Sequence, residues 1–168
     1  PTTVDHAPCV FGLETQIHIK KLATQLSRIV RPERGADVIS RGPFKAAIRV
    51  VGEERLLDEV LWLLFFAVDA GVMAGLAERR GLDLVRPLFL KNLRTELGPT
   101  NFDTLRMRIF EYQKAIGDAP DDRCCVGRRF AEFCGLGGNP AIAVLVTILF
   151  SSTAGQATEL VEKFKLAS

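Results

Sequence analysis

The stretch EERLLDEVLWLLFFAVDAGVMAGLAERRG, residues 53–81, decides the fold. Glu53 and Glu54 open it, Arg79 and Arg80 close it, and Gly81 follows. Charges of that sign at those ends suit a helix dipole, and the glycine suits a C-cap. Between Val60 and Leu76 the run is apolar nearly all round, the pattern of a helix at the centre of a domain. One charge interrupts it, Asp69. Asp58, Trp62, Phe65 and Asp69 fall on one line along the helix, and Ala67, Gly71 and Gly75 recur every four residues on the opposite face. Small residues at that spacing let a second helix approach closely.

A buried carboxylate without a partner costs several kcal/mol, roughly, so Asp69 calls for a cation or a hydrogen-bond donor. The expected partner is Arg106, Arg108, Arg128 or Arg129. The alternative makes Asp69 the polar anchor of a ligand pocket beside Trp62, with Tyr112 as a third lining residue.

Outward from this stretch, helical signals dominate. Leu13–Val30 carries Leu22, Leu26 and Ile29 at helical spacing, and Pro32 ends it. Arg31–Pro43 reads as a connection. Phe44–Val51 alternates like a strand, but no second strand is present to pair with it, so a short helix is expected. Asp83 caps a helix reaching Leu97. Thr100-x-x-Asp103 resembles a capping box ahead of the stripe Phe102, Leu105, Ile109, Tyr112 and Ile116. Asp121 or Asp122 opens a short helix through Cys134, and Gly135–Gly138 breaks it. Pro140 then starts the uncharged helix Ala141–Phe150. Thr153-x-x-Gln156 reads as a second capping box, starting a last helix, Gln156–Leu166. These readings predict an all-α fold, a single globular helical bundle of six to eight helices around two buried apolar helices. Residues 1–168 form one domain, with 1–12 as a loose N-terminal arm.

Composition narrows the class. In 168 residues, 48% are hydrophobic and 25% charged, which excludes a disordered tail, and a net charge of +2 gives no strong bias toward nucleic acid or membrane. The one local exception is Lys20–Arg55, with nine basic residues against four acidic. Only Phe44 interleaves them, so a solvated face explains the bias better than a phosphate-binding one, and nucleic acid is an unfavoured partner. Val60–Ala77 holds one charge and Phe133–Thr158 none. The first places Asp69 at its centre, and the apolar part of the second is bounded by Ser151-Ser152-Thr153, so neither is expected to span a membrane. Pro1 to His6 lack the pattern of a secretory signal. Cys9, Cys124, Cys125 and Cys134 are too sparse for a disulfide scaffold, and reduced thiols in a cytoplasmic protein are expected.

Catalytic chemistry finds little support. His6 and His18 are the only histidines, and no nucleophile, phosphate-loop or zinc-protease spacing is present. Cys124-Cys125 lacks the gap with which two thiolates grip one zinc ion, so neither metal nor cofactor is expected. Gly135-Leu136-Gly137-Gly138-Asn139-Pro140 reads as a helix stop and a turn, not as an anion cradle. The expected function is a non-enzymatic binding module: an adaptor, a regulator or a neutralising partner of another protein. Burying both apolar helices fully needs about as many neighbours as the chain supplies, which points to a homodimer. Ile142, Leu145, Leu149, Leu160 and Phe164 are the candidate interface residues. The alternatives are a small-molecule site around Trp62 and Asp69, of a binding protein or an enzyme, and nucleic-acid binding through residues 20–55.

Overall fold

The computed structural model describes residues 10–76 and 84–165. These form eight helices and no strand: α1 (Val10–Arg28), α2 (Pro32–Ile39), α3 (Gly42–Val51), α4 (Glu53–Leu76), α5 (Val85–Leu97), α6 (Pro99–Asp118), α7 (Cys125–Phe133) and α8 (Pro140–Lys165). The chain is all-α. The segment Phe44–Val51 is helical, within α3. Residues 1–9, 77–83 and 166–168 lie outside the described residues, among them His6, Cys9, Arg79, Arg80, Gly81 and Asp83.

Prolines set where several helices begin. Pro32, Pro43 and Pro99 occupy first-turn positions of α2, α3 and α6, and α8 starts at Pro140. A proline at the first helical position loses no hydrogen bond, and its fixed φ is already helical. This corrects two expectations. Arg31–Pro43 is not a plain connection: Pro32, read as a stop, also starts α2. Thr100-x-x-Asp103 is not a capping box either, because α6 begins at Pro99 behind an N-cap Gly98 with φ 75° and no side-chain cap. The expected helix break after Cys134 is present. Gly135 adopts φ 69°, its N–H donates to the Glu132 carbonyl at 2.9 Å, and the Leu136 N–H donates to the Ala131 carbonyl at 2.6 Å. Left-handed backbone of this kind favours glycine and closes a helix C-terminus.

The largest correction concerns α8. Ala141–Phe150 and Gln156–Leu166 are not separate helices; one helix of 26 residues runs through Ser151-Ser152-Thr153. The spacing that imitates a capping box serves a different bond. Thr153 is fully buried, and Arg34 Nη2 of α2 donates to Thr153 Oγ1 at 3.2 Å and to Gln156 Oε1 at 3.1 Å. Residues three apart share one helix face, so the pair presents two acceptors one turn apart to a guanidinium.

Helices α4 and α8 pack against each other more extensively than any other pair, and α1, α2, α3, α5, α6 and α7 complete the packing around them. The small-residue face of α4 makes this possible. A Cβ on Gly71 would lie 2.2 Å from the Ala154 carbonyl oxygen, and one on Gly75 would lie 2.9 Å from Val161 Cβ. Thr158 Oγ1 also donates to the Gly71 carbonyl at 3.0 Å. Across α8, Gly127 of α7 comes closer still, where a Cβ would lie 1.9 Å from the Ala143 carbonyl oxygen. One core cluster runs through the bundle, from Leu22 and Leu26 through Leu63, Leu64 and Val68 to Phe89, Leu105, Phe130 and Ile142. Both α4 and α8 are long and apolar enough to cross a membrane; 67% of the α4 window is buried in protein, against 28% for α8. Because α8 is continuous, the supposed break at Ser151 no longer argues against a span there.

Candidate functional site

Trp62 and Tyr112 belong to one cluster, whereas Asp69 pairs with Arg86 of α5. The cluster lies between α4, α6 and α7, and its own side chains fill it. Tyr112 is fully buried, stacked on Phe66 with ring centroids 5.3 Å apart and edge-on to Phe133 at 5.7 Å. The Arg108 guanidinium lies 3.9 Å from the Phe133 ring centroid and 5.4 Å from that of Trp62, within cation–π range of both. Its Nη2 donates to Glu59 Oε1 at 2.6 Å.

Glu59 is buried, and burial raises its pKa above the ordinary value even against the pull of Arg108. Burial likewise holds the Tyr112 phenol well above its usual range and pushes the Cys134 thiol up to about 12. A thiol so raised is a poor nucleophile at neutral pH. Glu59 Oε2, Arg108 Nε and Tyr112 Oη are buried without a hydrogen-bond partner among the described residues, a cost borne by the same small cluster. Cys124, Cys125 and Cys134 are free.

Asp69 is buried and paired, but with none of the four expected arginines. Its partner is Arg86, on the first turns of α5: Nε donates to Oδ1 at 2.7 Å and Nη2 to Oδ2 at 3.1 Å. The Asp69 side chain is 4% exposed and that of Arg86 40%. The signal for this pair lay in topology. Asp69 stands two turns before the end of α4 and Arg86 at the start of the next helix, α5, which packs chiefly against α1 and meets α4 only slightly. Arg86 belongs to a groove of about 470 Å³ between α5 and α6, which also holds Leu90, Phe102, Arg106, Ile109 and Phe110.

The candidate interface residues divide. Ile142 is fully buried and contributes to the core instead. Leu145 and Leu149 are half-buried and line an apolar groove of about 330 Å³ with Val38, Pro43, Phe44 and Ile148, between α3 and the first half of α8. Leu160 and Phe164 are partly buried against the core. At about 100° per residue they point with Ile142, away from Ile148. The residues missing from the sequence reading are Val144 and Ile148, 47% and 59% exposed.

Three of the nine basic residues between Lys20 and Arg55 are engaged within the fold. Arg34 is tied to α8, Arg41 pairs with Asp37, and Arg55 Nη2 donates to the Phe133 carbonyl at 2.7 Å. At the start of α8, Asn139 Oδ1 accepts from the backbone N–H of Ala141 at 3.1 Å and of Ile142 at 3.2 Å, so the glycine-rich turn is capped by its own asparagine. Among the described residues no group of three or more His, Cys, Asp or Glu is placed to hold a metal ion. No protein-family model, curated protein or solved structure matches the chain.

Proposed function

We propose that this chain is a non-enzymatic interaction module that pairs with a second copy of itself through α3 and the first half of α8. One observation carries the reading: the solvent face of α8 bears no charge for about five turns. Ala141, Val144, Ile148, Ser151, Ser152, Gly155 and Gln156 are its exposed positions, and the first charged one is Glu159. Exposed helix faces of soluble domains normally carry charged residues. A face without them, flanked by a groove of Val38, Phe44, Leu145 and Leu149 whose one charged lining residue, Arg41, is already paired with Asp37, meets its own copy without burying an unpaired ion. Isologous pairing is the commonest arrangement for such a surface.

Light scattering at micromolar concentration is expected to report about twice 18.5 kDa. Ile148→Glu is expected to give the monomer mass with an unchanged far-ultraviolet circular dichroism spectrum. A wild-type monomer overturns the proposal. If that monomer floats with phospholipid vesicles, the uncharged face is a membrane-contact surface instead.

A further inference from the structure

The groove between α5 and α6 combines apolar side chains with two guanidinium groups. Leu90, Phe102, Ile109 and Phe110 give it apolar walls, and Arg86, Arg106 and Gln113 share the lining, with no carboxylate among them. The 470 Å³ volume falls in the range of small-ligand sites, roughly 300–1,000 Å³. Phe110 is 63% exposed, whereas the other aromatic residues whose burial is described are buried or half-buried. The stripe Phe102, Leu105, Ile109, Tyr112 and Ile116 is therefore divided, with Ile116 exposed. Leu105 and Tyr112 enter the core, whereas Phe102 and Ile109 stay half-buried at its edge and line the groove.

The two arginines are prepared differently. Arg86 is held by Asp69, which takes Nε and Nη2 and leaves Nη1 without a hydrogen bond among the described residues. A guanidinium already fixed from behind loses less freedom when it binds a ligand. Arg106 is exposed and has no ion-pair partner among the described residues. Since the charge of Asp69 offsets that of Arg86, Arg106 supplies the net positive charge at this site. We propose that the groove binds a small amphipathic anion, a carboxylate or phosphate carried on an apolar chain or ring. The anionic group bonds to Arg106 and Arg86, as guanidinium does to both oxyanions, and the apolar part covers Phe102, Ile109 and Phe110. Asp69 is then a positioning residue. This site shares no residue with the α3–α8 groove.

The test is calorimetric titration of the full chain at low salt with decanoate, decyl phosphate, decanol and decyltrimethylammonium. Saturable binding of decanoate or decyl phosphate is expected, with decanol and the ammonium compound at least about tenfold weaker. Arg106→Gln is expected to weaken the anions about tenfold, and Phe110→Ser to weaken all chain-bearing ligands. Both positions are exposed, so thermal melts should match wild type and separate lost binding from lost folding. Ile148→Glu is expected to leave the titration unchanged, which keeps this result distinct from self-association. Equal affinity for decanol, no saturation with either anion, or an unaffected Arg106→Gln variant overturns the proposal. Binding to anionic vesicles without binding of monomeric decanoate also overturns it.

Discussion

Removing either member of the Asp69–Arg86 pair breaks the same two hydrogen bonds, yet the two losses are unequal. Asp69→Ala leaves a guanidinium whose side chain is already 40% exposed and can turn into water. Arg86→Ala leaves a carboxylate that is 4% exposed and has nowhere to turn. Stranding a buried charge costs ~3–5 kcal/mol, whereas losing a charge-assisted hydrogen bond costs ~1.5–3 kcal/mol. Chemical denaturation at neutral pH should therefore find Arg86→Ala the more destabilising by at least about 1 kcal/mol; the reverse order would show that the carboxylate reaches solvent. Glu59 allows a second test, by pH. Burial raises its pKa above the ordinary 4.5. The folded chain then holds that proton more tightly than the unfolded chain does. The resulting stabilisation is full below 4.5 and is lost as pH rises through the raised value. The stability of wild type relative to Glu59→Gln should fall as pH increases from about 4 to neutrality. A difference that grows with pH would mean that Arg108 outweighs burial.

Between elements, closeness of approach matters more than polarity. Gly127→Ala places a methyl group against the Ala143 carbonyl, which belongs to a helix backbone and cannot rotate aside. Overpacking of this kind costs ~1–3 kcal/mol or more, against ~0.5–1 kcal/mol gained from helix propensity. Gly155→Ala, in α8 with nothing within 4 Å of the added atom, should give only the gain. Opposite shifts in melting temperature are the expected result, and equal shifts would mean that α7 and α8 are not in contact at Gly127. This close packing was legible in the sequence as Gly71 and Gly75, because their four-residue period marks one face of α4. The span of α8 was not. Serines and a threonine in mid-run are ambiguous locally, and only the arrival of Arg34 from α2 shows why Thr153 and Gln156 lie inside a helix. The charge of Asp69 was legible as a buried pair, but its partner depended on where α5 lies, which spacing along one helix does not encode. The exposed ends of the stripe on α6 were invisible for a related reason, since periodicity marks a face without fixing how much of it the neighbours cover.

For the molecule as a whole, the pairing of α4 with α8 sets the order in which the chain can be completed. The two helices are neighbours in space, but about 90 residues separate the end of α4 from the end of α8. At a synthesis rate of ~5–20 residues per second, a ribosome that has finished α4 needs a further ~5–18 seconds to finish α8. During that interval Gly71, Gly75 and the apolar residues beside them lack the helix that shields them. A nascent chain is thus exposed to misassociation until α8 has been made, and the arrival of that helix ends the exposure.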